Sequence, residues 1–408
     1  MSRAVVEQYR DELEVRANRS NRPLRIGVDV TCWNLRRGFG RHTRGLISAL
    51  TELDNRNRYI FFVDRDSAPD LASQHETRIV SSSRSVRNGA RKIADLVRAS
   101  WTISREPLDV MLFPAIYSFV PVFSRAKVMI VLHDATAEML PNLALHDRVA
   151  RVLWNTKVAI GKWTADSLIA VSEYARKQLT EYLNVPPERI AIVGEAPASV
   201  FRHIQGLQVN YERLAALGVM PERKVIVHLG GFSPHKNLLY LVHEFDGLIG
   251  DSAYADIDLL LVGDTHPDAF HVSYEELVEE VRKRALTNRV RFTGFVPDEV
   301  LVDLLNIAAV TVMPSLNEGF GLPAVEAAAC GCPVIATLAS PLPAILGAGA
   351  LYIDPRQDGA LREALARMLS SPELRGKTGE AGRAAATKLS WKTEASKLIN
   401  AIEALANQ

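Results

Sequence analysis

Short apolar segments alternate with longer amphipathic ones along most of the chain, and no other feature limits the possible folds as strongly. Such alternation is typical of parallel sheets whose strands are connected by helices. A first set of strands is predicted at residues 24–30, 59–63, 110–113, 128–132, 167–171 and 190–193. A second set is predicted at residues 225–229, 257–262, 290–293, 310–313, 333–337 and 351–353. The sequence therefore predicts an α/β protein with two doubly wound domains that face each other across a cleft.

The length of the chain supports this division, because 408 residues exceed what a single hydrophobic core usually holds. We expect an N-terminal extension at residues 1–21, a first domain at 22–205, a second domain at 206–388 and a final helical segment at 389–408. Helices are predicted at residues 41–53, 298–308, 322–330 and 391–405. Asn237 is expected to cap a further helix that ends near residue 248.

Composition excludes several classes of protein. The net charge of +1 provides no overall field that would attract nucleic acid. Cys32, Cys330 and Cys332 are too few for a disulfide framework, and we expect them to be core thiols. Residues 1–21 are highly charged and lack the apolar core of a signal peptide. No stretch approaches the roughly 20 apolar residues of a membrane span, so we expect a cytoplasmic protein.

Two glutamates flank a glycine-rich turn in the string Glu318-Gly319-Phe320-Gly321-Leu322-Pro323-Ala324-Val325-Glu326. A helix that begins near Gly321 would offer unpaired backbone amides and a positive dipole end to an anion. Glu326, more than a turn into this helix, could reach the ribose of a nucleotide. Glu318 could reach hydroxyls of a sugar beyond the phosphates. The alternative is a helix charge and a surface glutamate.

Lys236 follows the strand at 225–229 and a Gly230-Gly231 turn. A cation at the carboxyl end of a strand can neutralise a diphosphate leaving group, although a surface lysine in a turn is the alternative. His133-Asp134 directly follows another predicted strand, so His133 is expected to point into the cleft or to serve as a loop histidine. The acids in Asp64-Arg65-Asp66 are expected to belong to a turn, and no ligand cluster predicts a metal.

A glycine loop, Gly38-Phe39-Gly40-Arg41-His42-Thr43, follows the first strand and precedes the first helix. It differs from a dinucleotide fingerprint, because Thr43 stands where a third glycine belongs and residues 31–37 separate the loop from the strand. A loop that offers amides and Arg41 to phosphate or sugar fits the residues better than an NAD site.

A basic amphipathic helix is predicted at residues 84–101, with an apolar stripe of Val86, Ala90, Ile93, Val97 and Trp101. The basic residues beside this stripe are Arg84, Arg87, Arg91, Lys92 and Arg98. The favoured interpretation is a domain helix whose stripe packs on the sheet. Peripheral contact with an anionic inner-membrane surface is the alternative.

The string from Glu318 to Glu326, preceded by Val312-Met313-Pro314-Ser315, resembles the signature of the family-4 retaining glycosyltransferases, which have the GT-B architecture. Further segments resemble other motifs of that family: Gly38 to Arg41, His133-Asp134, Val171-Ser172-Glu173, Pro234 to Asn237, Phe292 to Val296 and Ser390-Trp391. The resemblance covers nearly the whole chain from Leu24 onward. Gly231 stands where many members carry arginine, so one diphosphate cation would be missing or supplied elsewhere, for example by Arg41.

The resemblance implies transfer of a sugar from a nucleoside diphosphate donor, with retention of anomeric configuration and without a metal or other cofactor. The C-terminal domain would hold the nucleotide, the N-terminal domain would hold the acceptor, and the final helix would return to the N-terminal domain. The implied catalytic residues are Glu318, Lys236 and His133. The implied donor-binding residues are Gly38, Gly40, Arg41, Gly231, Phe295, Val296, Gly319, Phe320, Gly321, Leu322 and Glu326.

By the same resemblance, the donor is expected to be GDP-mannose, with a UDP-sugar as the alternative. The acceptor would be a glycan or a lipid-linked glycan of surface polysaccharide assembly, and the segment at 84–101 would suit a lipid-linked one. A GT-B sugar-nucleotide epimerase or hydrolase, a non-catalytic nucleotide-binding protein and an NAD oxidoreductase are the other classes considered.

Overall fold

The computed structural model describes residues 22–35, 38–65, 75–81, 93–145, 147–205, 210–265 and 273–408. Its first sheet has seven parallel strands: β1 (Arg25–Asp29), β2 (Arg58–Asp64), β3 (Glu76–Ser81), β4 (Val110–Phe113), β5 (Lys127–Leu132), β6 (Ser167–Ala170) and β7 (Ile190–Ile192). The strand order β3-β2-β1-β4-β5-β6-β7 reverses between β1 and β4. In sheets of this kind, ligands bind beyond the carboxyl ends of the strands near such a reversal.

The second sheet has six parallel strands: β8 (Lys224–Leu229), β9 (Ile257–Val262), β10 (Val290–Gly294), β11 (Val310–Met313), β12 (Val334–Thr337) and β13 (Ala350–Ile353). Their order is β10-β9-β8-β11-β12-β13, with a reversal between β8 and β11. The central strands are buried along their whole length, as parallel strands covered on both faces require. The predicted α/β architecture of two doubly wound domains is therefore confirmed.

Helices connect these strands. Those of the first half are α1 (Gly38–Leu53), α2 (Ile93–Arg105), α3 (Thr136–Met139), α4 (Pro141–Ala144), α5 (Arg148–Thr164) and α6 (Glu173–Leu183). Those of the second half are α7 (Tyr211–Ala215), α8 (Leu238–Ile249), α9 (Tyr274–Lys283), α10 (Asp298–Ile307), α11 (Leu322–Ala329), α12 (Leu342–Leu346), α13 (Ala360–Ser370), α14 (Pro372–Ala386) and α15 (Trp391–Ala406). None of the described helices is both long enough and apolar enough to cross a bilayer.

Helix α15 packs against α1 and so returns the chain to the first domain. The ring of Trp391 lies so close to Gly45 that a Cβ on this glycine would come within 2.3 Å of it. Glu394 Oε2 accepts a hydrogen bond of 2.6 Å from the backbone amide of Gly194, just after β7. The chain therefore crosses between the domains twice, once before β8 and once before α15.

Every predicted strand is present, with ends that differ from the predicted ones by at most one residue. The prediction of core thiols is also confirmed, because Cys32, Cys330 and Cys332 are all buried and free. Two local predictions were wrong. Gly38, Phe39 and Gly40 form the first turn of α1 rather than a loop. Asn237 takes a left-handed conformation before α8, and its side chain donates to Pro314 O at 3.3 Å instead of capping the helix.

The predicted packing of the apolar stripe at 84–101 was wrong in its described part. Val97 and Trp101 are 63% and 60% exposed, whereas Ala99 and Ile103, on the other side of α2, enter the core. Ala99 and Ile103, four residues apart on α2, provide the face that enters the core, so Val97 and Trp101 point outward. The guanidinium of Arg105 lies 4.0 Å from the centre of the Trp101 ring. Residues 82–92, with most of the predicted stripe and basic residues, lie outside the described part of the chain, as does Asp66.

Candidate active site

Glu318 and Lys236 form an ion pair at the carboxyl edge of the second sheet. Lys236 ends a 3₁₀ turn that follows β8, and Glu318 lies between β11 and α11. Lys236 Nζ donates to Glu318 Oε1 at 2.7 Å, and Ser315 Oγ donates to the same oxygen at 2.6 Å. Burial alone would raise the pKa of Glu318, but the charge of Lys236 and these hydrogen bonds lower it below its usual range. An ionised carboxylate therefore lies beside a fixed cation.

The loop that carries Glu318 is hydrogen-bonded to the first domain through its neighbour Asn317. This asparagine is 1% exposed and has partners for both ends of its amide. Its Nδ2 donates to Thr136 Oγ1 at 2.7 Å, and Gln178 Nε2 donates to its Oδ1 at 2.6 Å. Because the bonded residues belong to α3 and α6, the position of Glu318 depends on both domains.

Gly319 is the point at which the two domains approach most tightly at this loop. Its carbonyl oxygen accepts a hydrogen bond of 2.6 Å from Ser172 Oγ, which also caps α6. A Cβ at Gly319 would lie 2.2 Å from the carbonyl oxygen of His133 and 3.0 Å from the Cβ of Asp134. Glycine is therefore required here by the backbone of the opposite domain.

Glu326 lies on α11, whose first residues follow Gly321 in a left-handed conformation (φ +86°). The carboxylate is 3% exposed and accepts a hydrogen bond of 2.8 Å from Arg41 Nη1, while Arg41 Nη2 donates to Asp298 Oδ1. Burial raises the pKa of Glu326 to about 7, although the positive charge of Arg41 acts to lower it. Arg41 thus joins α1 of the first domain to α10 and α11 of the second, and its guanidinium also lies 5.3 Å from the centre of the Phe201 ring.

His133, partly exposed, belongs to a cluster with the buried residues His42 and Glu195, called here the His–Glu cluster. Nδ1 of His133 lies 3.4 Å from Glu195 Oε1, and Nδ1 of His42 lies 3.2 Å from the same oxygen. Burial alone would raise the pKa of Glu195, but the contacts with both histidines lower it to about 2. Burial lowers the pKa of His42. An ionised Glu195 therefore orients both imidazole rings, and the Phe39 ring packs 4.8 Å from that of His133.

The His–Glu cluster is also the group in the described chain whose ligand atoms could surround a metal ion. One nitrogen from each histidine and one carboxylate oxygen lie within 4.8 Å of one another. Two histidines and a glutamate are a ligand set that binds zinc in proteins. The charge of Glu195 beside both rings is another reason for this arrangement, so the expectation that no metal takes part stays a prediction.

The turns that follow β8, β9 and β10 lie side by side at the same edge. The carbonyl oxygen of Gly230 abuts Gly263, whose amide donates to Gly294 O at 3.1 Å. Gly231 continues the first of these turns. Phe295, 40% exposed, and the buried Val296 continue the last one. The predicted donor residues of the second domain are thus distributed along one edge, with the buried Phe320 and Leu322 at the start of α11.

Two family models match the chain. The model described as "Glycosyltransferase Family 4" matches residues 36–195, and the model described as "Glycosyl transferases group 1" matches residues 212–385. The chain belongs to the family-4 glycosyltransferases of GT-B architecture. The two matches cover strands β2 to β13 of this glycosyltransferase and include His133, Lys236 and Glu318.

Curated relatives are 25–29% identical to this glycosyltransferase within the segments that align. The Escherichia coli O-antigen chain mannosyltransferase B is 25% identical over 290 residues, which cover 68% of this chain and 71% of the relative. The Escherichia coli serotype-specific mannosyltransferase WbdA is 25% identical over 277 residues, 66% of this chain but only 32% of the relative. The D-inositol 3-phosphate glycosyltransferase of Corynebacterium glutamicum is 29% identical over 249 residues, 60% of this chain and 59% of the relative.

Solved structures share the fold at lower identity. Sucrose-phosphate synthase from Thermosynechococcus elongatus superposes with a TM-score of 0.73 at 19% identity, over 93% of this glycosyltransferase and 98% of that chain. Anabaena HepE, solved in complex with UDP-glucose, gives a TM-score of 0.72 at 18% identity, over 93% of this chain and 100% of the other.

The sequence predicted Glu318 and Lys236 as members of one site, and the structure brings them into contact. The sequence did not single out Glu195, His42 or Asn317. The available signal for Glu195 was its position just after β7, where a polar side chain reaches the carboxyl edge of the first sheet. His42 belonged to the glycine-rich segment at 38–43 and Asn317 directly precedes Glu318, but nothing in the sequence indicated their partners.

Proposed function

We propose that this glycosyltransferase moves mannose from GDP-mannose to a hydroxyl group of a glycan or lipid-linked glycan, with retention of anomeric configuration. The observation that carries the proposal is the ion pair between Lys236 and the buried Glu318, 2.7 Å apart, beside the start of α11. A cation and helix amides can stabilise the negative charge of a leaving diphosphate. A nearby carboxylate can stabilise a sugar that becomes positively charged. The names of the Escherichia coli mannosyltransferases support mannose as the sugar.

In this mechanism, Lys236 and the amides around residues 319–322 stabilise the charge that grows on the departing diphosphate. The bond between the anomeric carbon and the phosphate oxygen breaks, and the acceptor oxygen bonds to that carbon from the same face. The acceptor proton passes to the leaving phosphate oxygen. Glu318 orients the sugar and stabilises its oxocarbenium character without forming a covalent bond. His133, positioned by Glu195, lies next to the transferred sugar.

Glu326 would bind the donor ribose, and Arg41 would have to release it, because the two are hydrogen-bonded in this structure. Glu326→Ala is expected to raise the KM for the donor roughly ten- to a hundredfold, the effect of losing a charged hydrogen bond to ribose, while kcat changes much less. Steady-state kinetics at varied donor concentration measures both. Asp298→Ala is the control, because Asp298 also binds Arg41 but has no proposed contact with ribose. An equal rise in KM in both variants would assign the effect to Arg41 instead.

The proposed reaction needs no metal. Activity is expected to survive dialysis against EDTA, with a rate unchanged on adding Zn²⁺ or Mg²⁺, because Lys236 and helix amides supply the positive charge. Metal content by mass spectrometry and the transfer rate are measured on the same sample. Loss of activity that Zn²⁺ alone restores, together with one bound zinc that His42→Ala removes, would instead make the His–Glu cluster a metal site.

One pair of measurements tests the function. Thermal stabilisation is compared for GDP, UDP, dTDP, ADP and NAD, and transfer is then assayed with sugars of the nucleotide that binds. We expect the largest shift with GDP and acceptor-dependent consumption of GDP-mannose. A UDP-sugar is the second candidate, supported by the fold shared with the UDP-glucose complex of HepE. Release of free sugar without any acceptor would indicate an epimerase or hydrolase, and stabilisation by NAD alone would refute the proposal.

A further inference from the structure

Glu394, on the final helix α15, holds the backbone of the first domain just beyond β7. The residue is 5% exposed, and its Oε2 accepts a hydrogen bond of 2.6 Å from the amide of the buried Gly194. One residue earlier, the amide of Val193 still donates to Ala170 O of β6 at 3.0 Å. The chain leaves the sheet at Gly194, where a buried amide without a partner would cost free energy. Glu394 therefore fixes the point from which the following residue departs.

The residue that follows Gly194 is Glu195, which provides the carboxylate of the His–Glu cluster. Its Oε1 lies 3.4 Å from His133 Nδ1 and 3.2 Å from His42 Nδ1. Both separations are at or beyond the long end of the usual range for a hydrogen bond. A small shift of the backbone at Gly194 would therefore take Glu195 out of contact with His133.

Trp391, about one turn before Glu394 on the same face of α15, reaches the cluster from another side. Its ring lies edge-on to that of His42, with centres 5.8 Å apart, and the His42 ring lies edge-on to that of His133 at 4.6 Å. A Cβ at Gly45 would lie 2.3 Å from the indole, so α1 packs closely against this ring. Two side chains of the final helix therefore contact His133 indirectly, one through each of the other members of the cluster.

We propose that Glu394 and Trp391 are positioning residues, which hold the ring of His133 in place for sugar transfer. The inference rests on the proposed function, because it uses the position of His133 next to the transferred sugar. Both residues act through the His–Glu cluster and not on a substrate. An error of about 1 Å in the position of a catalytic group can lower a rate about 100-fold, so contacts behind the cluster can determine the rate.

Glu394→Ala tests the first of these contacts. We expect kcat to fall roughly ten- to a hundredfold and the KM for the donor to change less than about twofold, because the proposed nucleotide site is in the second domain. Glu394→Gln keeps an oxygen that can accept from the Gly194 amide, and we expect it to recover most of the rate. Lys392→Ala is the matched control, because Lys392 also joins α15 to α1, through Glu52 at 2.7 Å, but both side chains are exposed. Its kcat is expected to stay within about twofold of that of the unmodified chain.

The same substitution in the His133→Ala background separates positioning from general damage to the fold. If Glu394 acts through His133, Glu394→Ala has little further effect on kcat once that ring is removed. An equal fold-loss in both backgrounds would make the contact merely structural and would overturn the proposal. Trp391→Phe is the second variant, for the case that the unpaired amide prevents Glu394→Ala from folding. It is expected to lower kcat at least about threefold, again only while His133 is present.

Nitrogen NMR of the imidazole rings, at one fixed pH, gives a readout that needs no substrate. The signals of His133 and His42 are identified as those that alanine substitution of each residue removes. We expect Glu394→Ala to shift both signals and Lys392→Ala to leave them in place. Unchanged signals in Glu394→Ala, or a kcat within about twofold of that of the unmodified chain, would overturn the positioning role and leave the proposed reaction standing. An unmodified chain that transfers no sugar would refute the proposed reaction, and with it the role of His133 on which the inference rests.

Discussion

Lys236→Ala is expected to lower kcat roughly 10²- to 10³-fold, with a much smaller change in the KM for the donor. This corresponds to about 2.7–4 kcal/mol of lost transition-state stabilisation. The size of the effect follows from the site, because Lys236 lies 2.7 Å from a buried carboxylate and its charge is poorly screened by water. Lys224→Ala is the control, since Lys224 begins β8 at the opposite edge of the same sheet.

The Lys236→Ala variant also leaves Glu318 buried without its cation, which costs folding free energy of its own. Lys236→Ala/Glu318→Gln removes that unpaired charge and keeps an acceptor for Ser315 Oγ. We expect the double variant to stay as slow as Lys236→Ala while its melting temperature recovers. Recovery of the rate as well would mean that Lys236 only neutralises Glu318, and near-normal turnover of Lys236→Ala would remove it from the mechanism.

Gly319→Ala is expected to lower both kcat/KM and the melting temperature, although it adds a single methyl group. The new Cβ would lie 2.2 Å from the carbonyl oxygen of His133, so two backbones in different domains must separate. Overpacking of this kind costs about 1–3 kcal/mol. The separation would also disturb the hydrogen bond from Ser172 and hence the position of Glu318.

Gly376→Ala is the matched control for that substitution. Nothing lies within 4 Å of a Cβ at Gly376, and the residue is exposed within α14, where alanine is favourable. We expect kcat/KM within about twofold of the unmodified chain and an equal or higher melting temperature. A Gly376→Ala variant that loses as much activity as Gly319→Ala would show that the loss does not come from the contact between Gly319 and His133.

The sequence predicted the strands well because parallel strands buried on both faces read as short continuous apolar runs. β3 was missed, since Arg78 interrupts it and a serine-rich stretch follows. Helix α5 was not predicted because its exposed apolar stripe obscures the contrast between inner and outer faces on which helix recognition depends. The helical first turn at Gly38 was unexpected, because two glycines in three residues favour a loop.

Within the site, residues at strand ends were predictable and contacts across the domains were not. Lys236 and Glu318 follow neighbouring strands, β8 and β11, so topology places them at one edge. Arg41 and Glu326 are 285 residues apart in the chain and meet only because the domains face each other in this arrangement. The contacts between Asn317, Gln178 and Thr136 depend on the same arrangement. No local sequence pattern specifies how two domains are oriented. Motifs therefore predict the residues of the site but not the residues that they contact in the other domain.

The double crossing of the chain between the domains has a mechanical consequence. A domain joined by a single linker can both tilt and twist about it, whereas two connections define an axis and leave rotation about that axis as the easy movement. Here one connection enters β8 and the other leaves α14 for α15, which is anchored on α1 by Trp391. A rotation that opens the cleft would therefore separate Arg41 from Glu326 and His133 from Gly319 at the same time. Such a hinge would let a substrate enter and would return the two domains to the same alignment each time the cleft closes.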